Sequence, residues 1–188
     1  MEIFEEKAFQ GESYVKEVIA GNEYEYCTFS DCDFTETTLQ SCTFVNCRFV
    51  NCNFSMTKFS QSMLNDVEFD SSKILGVDFS LCNDFIFEVR FNDCILDYSS
   101  FEKRKMSKTT FRKTSLKGVD FANADLKQSR FIDCDMNETI FYNTNLQESD
   151  LSSAFNYTIN PDENYIKKAK FSKDGLQGLL QKYNIIIE

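Results

Sequence analysis

Thiols and carboxylates are the side chains here that invite a chemical question, because the chain has 8 cysteines and 30 Asp and Glu but no histidine. Without imidazole it lacks the usual general base at neutral pH and the commonest metal ligand. Zinc sites built from cysteine ordinarily begin with a CxxC pair, and none occurs. Instead Cys27, Cys32, Cys42, Cys47 and Cys52 stand five residues apart or a multiple of five, as do Cys94 and Cys134. Only 6 glycines are present, and no phosphate-cradling loop is among them. No nucleophile–base pair or ligand set emerges. The expectation is a protein that is not an enzyme and holds no metal or cofactor.

The cysteine spacing belongs to a wider period. From Tyr24 to Phe79 a large apolar residue returns at every fifth position, through Phe29, Phe34, Leu39, Phe44, Phe49 and their successors. Two residues before each such centre sits a small or slim side chain, among them Cys27, Cys32, Thr37, Cys42, Ser62 and Val67. The period resumes from Phe91 to Leu151 with partners such as Cys94, Thr109, Ala124 and Cys134. Phe79 and Phe91 are two residues too far apart for a single register. The extra pair is placed near residues 81–85, with Ile86 as the intervening centre. Neither the 3.6 period of a helix nor the alternation of a flat strand yields this pattern.

Val119-Asp-Phe-Ala-Asn123 and Ala124-Asp-Leu-Lys-Gln128 show the motif in full: a small residue, Asp or Asn, Leu or Phe, then two polar positions. It resembles the pentapeptide-repeat family. The resemblance implies an all-β fold, a right-handed quadrilateral parallel β-helix with four pentapeptides, or 20 residues, per coil. Centre and small residue would point inward, and coils would stack at strand spacing, giving about six and a half coils and a rod roughly 30 Å long. One face would then stack Phe29, Phe49, Phe69, Phe91, Phe111 and Phe131, and another Phe59, Phe79, Phe101, Phe121 and Phe141. Stacked cysteines such as Cys27 and Cys47 are expected to be buried reduced thiols.

Open solenoid ends need caps. Residues 1–21 keep large residues at the right spacing, but Glu2, Lys7, Glu12 and Glu17 occupy the small position. They are expected to form an irregular N-terminal cap, followed by the repeat over 22–153. In 154–188, Asn160-Pro161 turns the chain and 166–171 alternates like a strand. A short α-helix follows, with Ser172 as its N-cap, Leu176, Leu179, Leu180 and Tyr183 at helical spacing, and Asn184 at its end. Those four apolar residues exceed what covering one coil requires, so they are the candidate homodimer interface.

Charge is divided unevenly. Residues 1–99 hold 18 acids against 6 bases, a net of −12, and residues 100–188 hold 12 against 14, a net of +2. The acidic half disfavours direct nucleic-acid contact and favours a basic partner, with Asp31, Asp33 and Glu36 as candidate contacts. Lys103, Arg104, Lys105, Lys108, Arg112, Lys113 and Lys117 form a partial basic girdle. Two charges break the inward pattern, Asp84 and Arg104. They lie 20 residues apart, at the same corner of successive coils, and are expected to form a core ion pair. No apolar run approaches a signal or membrane span, so the chain is expected to be cytoplasmic with no membrane partner.

The segment Ile166-Lys-Lys-Ala-Lys-Phe171-Ser172, the amphipathic helix and the closing 185–187 isoleucines resemble the ending of Qnr- and MfpA-type quinolone-resistance proteins. That resemblance implies a rod-like dimer joined through the C-terminal helices, which mimics duplex DNA and binds DNA gyrase or topoisomerase IV. A structural interaction scaffold for an unidentified protein, with no DNA mimicry, stays open beside it. The acidic first half favours the DNA-mimic reading, whereas the basic girdle and the lack of sizeable loops, only a two-residue offset being detectable, favour that alternative.

Overall fold

Each pentapeptide builds one side of a square. The apolar centre points inward, and the residue two positions later turns the corner with a left-handed backbone, as at Asp31 (φ 53°), Met56 (φ 59°) and Tyr98 (φ 60°). Asp or Asn one position before the centre accepts a hydrogen bond from the backbone N–H one position after it. Asp33 does so from Thr35 N at 2.9 Å, Asp78 from Ser80 N at 2.9 Å and Asp120 from Ala122 N at 2.8 Å. This explains the acidic or amide residue of the motif, because such a turn bends the chain without a partner from elsewhere.

The inward small position follows from a second set of bonds. Thr57 Oγ1 donates to Phe34 O at 2.6 Å, Ser62 Oγ to Leu39 O at 2.8 Å and Thr144 Oγ1 to Phe121 O at 2.8 Å. Cys47 Sγ and Cys52 Sγ reach Tyr24 O and Phe29 O in the same way, at 3.3 and 3.4 Å. In these bonds the acceptor is the carbonyl of a centre 23 residues earlier, and across the inserted pair Cys94 and Ser99 reach the centres Phe69 and Ile74, 25 residues earlier. A slim side chain with a donor therefore fills the slot and satisfies a buried carbonyl at once.

The computed structural model describes residues 1–186. Parallel pairing at a register of 20 carries the chain through about eight turns. The four faces are named here by their first centres: Phe4, Phe9, Tyr14 and Ile19 for the first to fourth. On the second face the rings from Phe9 to Phe131 stack one above another with centroids 4.6 to 5.4 Å apart. On the fourth, Phe59, Phe79, Phe101, Phe121 and Phe141 stack at 4.7 to 5.6 Å. Both ladders are the ones the 20-residue register predicts. Each stacked pair adds about 0.5–1.5 kcal/mol to what burial supplies.

Three boundaries differ from the sequence reading. Residues 1–21 are not irregular: Ile3–Glu5, Ala8–Gln10 and Val18–Ala20 pair in register with the next coil. Glu2, Lys7, Glu12 and Glu17 are all exposed, and among the described residues no coil lies beneath them. The repeat also runs past residue 153. Asp150–Leu151 pairs with Lys170–Phe171, and Tyr165 bridges to Asn145. Asn164 takes the small slot there, its side chain donating to Phe141 O and accepting from Thr144 N.

The third difference is the inserted pair of residues. Phe87, not Ile86, is the inward centre, paired with Leu64 before the register shifts at Val89. The larger ring wins because it packs edge-on against both Phe79 and Phe101. Asn83 Oδ1 accepts from Phe85 N at 2.8 Å, and the turn throws Asp84 and Phe85 outward.

The C-terminal helix is short and mixed, running from Asp174–Leu176 through Gln177–Leu180 to Gln181–Tyr183. Ser172 Oγ accepts from Gly175 N at 3.0 Å, and Asn184 ends the segment in a left-handed conformation. Ile187 of the closing isoleucine run lies outside the described residues.

Candidate functional site

With the centres and small residues of the inner coils turned inward, the outward columns are what the rod presents to other molecules. At its N-terminal end the presentation is acidic. On the first face Glu5 pairs in register with Glu25, beside Glu23 and Glu6. None of the four has a basic nitrogen within 4 Å among the described residues. Asp31, Asp33 and Glu36 lie on the second and third faces and are more committed. Asp31 accepts from Gln10 Nε2 at 2.5 Å and from Asn51 Nδ2. Asp33 closes its own turn through Thr35, and Glu36 stands 3.8 Å from Lys16. Asp31 and Glu36 are exposed, whereas Asp33 is half-buried.

The four apolar residues of the helix divide between two directions. Leu179 packs on the solenoid core, while Leu176 and Tyr183 are 47% and 57% exposed and Leu180 is intermediate. Two glycines set this orientation. A Cβ on Gly178 would sit 2.1 Å from the Tyr157 carbonyl oxygen, and one on Gly175 would overlap the Tyr157 hydroxyl. The helix thus lies flat on the last coil, where Ile159 N donates to Gly178 O at 3.0 Å and Thr158 Oγ1 to Gln181 Oε1 at 2.6 Å.

Asp84 and Arg104 meet, Oδ1 to Nη1 at 2.7 Å, but not as two inward charges. Arg104 is buried at 3% exposure and the Asp84 side chain is 98% exposed. The guanidinium fills the small slot beneath the loop, donating to Cys82 O at 3.1 Å and Asn83 O at 2.7 Å, 4.5 Å from the centre of the Phe87 ring. Its Nε has no partner among the described residues. Burial of Arg104 removes it from the basic girdle. Lys103 pairs with Glu102 and Lys117 with Asp135, leaving Lys105, Lys108, Arg112 and Lys113 exposed without a carboxylate within 4 Å among the described residues.

All eight cysteines are free and buried. Burial pushes the Cys47, Cys52, Cys82, Cys94 and Cys134 thiols up to about 12, so at neutral pH they are inert donors, not nucleophiles. Among the described residues no group of three or more Cys, Asp or Glu is arranged to hold a metal ion, and no helix is long and apolar enough to cross a membrane.

Comparison with known proteins settles the family. The model of the pentapeptide repeat region matches residues 23–101 and 84–157. The chain is a pentapeptide-repeat protein. Among solved structures it is similar to QnrB1, a plasmid-mediated fluoroquinolone resistance protein. A trypsin-treated form aligns over 99% of this chain and 97% of that one, at 16% identity and a TM-score of 0.57. The full-length form aligns over 97% and 100%, at 17% identity and 0.56. It is also similar to HetL, a pentapeptide-repeat protein involved in heterocyst differentiation regulation in the cyanobacterium Nostoc, at 10% identity over 92% and 86%, with a TM-score of 0.58. At these identities the likeness is one of fold. No curated protein matches the sequence.

In a pentapeptide-repeat rod the residues that matter at the surface are those that share a column. Asp31, Asp33 and Glu36, expected from the acidity of the N-terminal half, lie on two faces, whereas Glu5 and Glu25, not among the expected contacts, share one column. Their separation of 20 residues was the available signal. The sequence reading also missed Phe85, 86% exposed at the tip of the inserted loop, because the insertion was counted as an offset with no projecting side chain.

Proposed function

We propose that this chain is a non-catalytic protein-interaction module of Qnr-like type. Its acidic N-terminal arm binds a type II topoisomerase, DNA gyrase or topoisomerase IV, in place of duplex DNA, and so protects it against quinolones. The observation that carries the reading is the set of carboxylates without basic partners on the first two coils of a rigid rod, Glu5, Glu6, Glu23 and Glu25. Asp31 and Glu36 extend the charge onto neighbouring faces. The QnrB1-like fold over nearly the whole chain supports it. No catalytic step, cofactor or direct nucleic-acid contact belongs to this function. The rod acts as a homodimer through the outward side of its C-terminal helix, Leu176, Leu180 and Tyr183, with Leu179 serving the core.

A supercoiling assay of gyrase with ciprofloxacin tests the reading. The protein is expected to restore supercoiling, and a variant with Glu5, Glu23, Glu25 and Asp31 changed to Gln or Asn is expected to lose that effect while staying folded. Failure of the parent protein to protect gyrase or topoisomerase IV would overturn it. The second reading, a scaffold for another protein partner without DNA mimicry, is favoured by the +2 charge of residues 100–188. It is distinguished by a partner that binds without competing with DNA. For the dimer, Leu176→Asp with Tyr183→Asp should halve the mass in light scattering.

A further inference from the structure

Charge along the first face falls into two blocks. Glu5, Glu6, Glu23 and Glu25 occupy its N-terminal end. Past the middle, the same outward columns carry Lys105, Lys108, Lys127, Lys167 and Lys168 against Asp125 and Glu148. Backbone register makes this one continuous strip: Lys105 bridges to Asp125, Asp125 to Asn145 and Asn145 to Tyr165, while Lys108 N donates to Lys127 O and Glu148 N to Lys167 O. Between the blocks lies the inserted loop, which presents Phe85 at 86% exposure. Its centre, Phe87, has four levels of the face on either side, from Phe4 to Leu64 and from Met106 to Ile166. Beside the loop runs a groove of about 600 Å³ lined by Phe85, Ile86, Val89, Lys105, Met106 and Thr109, among others.

A strip with an acidic end, a basic end and a knob beside a groove at its centre is complementary to itself under a twofold rotation. We propose that the first face pairs with the first face of a second copy of this chain, antiparallel, about an axis near the loop. Glu5 and Glu6 of each copy then face Lys167 and Lys168 of the other, and Asp66 faces Lys108, while Glu23 and Glu25 lie opposite the Asn145, Gln147 and Glu148 coil. Phe85 of each enters the groove of the other. A parallel arrangement would set like charge against like charge, so charge fixes the direction as well as the register. The strip is roughly 40 Å long and roughly 15 Å wide by strand geometry. It would bury roughly 600 Å² on each copy, at the low end for specific dimers, so the association is weak and weakens further with salt. The C-terminal helix rests on Tyr157, Thr158, Ile159 and Asp162, on the third and fourth faces, and leaves the strip open. Pairing would cover carboxylates that the proposed partner uses, so the two associations compete.

Sedimentation of the full chain at low salt tests this through a charge swap. Glu5→Lys with Glu6→Lys makes the first coil of the strip basic, and Lys167→Glu with Lys168→Glu makes its last coil acidic. Each variant alone is expected to self-associate about tenfold more weakly than the parent or worse. An equimolar mixture of the two should associate with parental strength, since each end again meets its opposite. Phe85→Ser should weaken the parent dimer without altering its circular dichroism. The mixture is its own folding control, because rescue requires both variants to be folded. A Leu176→Asp, Tyr183→Asp background that shows no association at low salt, variants that associate as the parent does, or a mixture no tighter than its components would each overturn the proposal. So would an association abolished by Leu176→Asp and indifferent to all four charges.

Discussion

Arg104 is the residue on which the inserted loop hangs. Its donors reach Cys82 O, Asn83 O and Asp84 Oδ1, and its plane lies against Phe87. Asp84 is in water, so the pair is lopsided, and its two members should respond differently to removal. Arg104→Ala leaves two loop carbonyls without donors and a void over Phe87, and is expected to cost about 2–4 kcal/mol. Asp84→Ala should stay within about 0.5 kcal/mol, like an ordinary surface change. Denaturant unfolding of both single variants and the double variant measures this, and equal losses from the two singles would contradict it. Both residues were legible in the sequence as rule-breakers at one corner. Their asymmetry was not, because the period alone put Ile86 at the centre and so placed Asp84 two residues before it. The thiols supply the pH dependence. Five of them are raised from 9.0 to about 12 in the folded chain, which means that folding favours the neutral form. Their contribution is therefore complete below pH 9 and lost as pH rises from 9 to 12. Stability against urea should be insensitive to these groups up to pH 9 and fall steeply above it. A thiol reagent should label them only as fast as the chain unfolds.

At the scale of elements, the regular coils were readable because one slot geometry repeats, so composition, spacing and register all report the same constraint. The C-terminal segment was readable only in part. Ser172 and Asn184 announced the helix ends, but the direction of its faces depends on Gly175 and Gly178. A pattern of apolar residues does not weigh glycines. Nor did the pattern show that the last coil continues to Phe171, since Pro161 and the exposed Asn156 take the place of apolar centres there. The glycine contact gives a test. Gly178→Ala would place a methyl 2.1 Å from the Tyr157 carbonyl oxygen, and backbone cannot yield as a flexible side chain would. The helix should lift from the last coil at a cost of about 1–3 kcal/mol. Limited trypsin digestion would show faster cleavage at Lys173 and Lys182 than in the parent, with the solenoid itself intact. Digestion at the parental rate would mean that the contact does not hold the helix down.

For the whole molecule the problem is how a stack of identical layers stops. An array whose coils pair through backbone groups presents unpaired donors and acceptors at each end, and a second rod fits either end as well as another coil would. The C-terminal end is covered by the helix. The N-terminal end is a regular coil with no described residue beneath it, and its centres Phe4, Phe9, Tyr14 and Ile19 are only partly buried. What distinguishes this coil is its small position, filled by Glu2, Lys7, Glu12 and Glu17, all exposed. In an inner coil that slot is narrow and dry, and a charge there is costly unless it is held as Arg104 is, by two carbonyls and a carboxylate. At the end the charge stays solvated, and stacking another layer onto it would strip its water. The four charges therefore act as a stop that leaves the coil's own backbone pairing undisturbed. Replacing Lys7, Glu12 and Glu17 by Ala or Ser should leave stability nearly unchanged and make the end adhesive. Negative-stain micrographs should then show rods joined end to end in greater number as concentration rises, where the parent shows single ends. Rods of unchanged length at every concentration would mean that the open edge is guarded by something other than these charges.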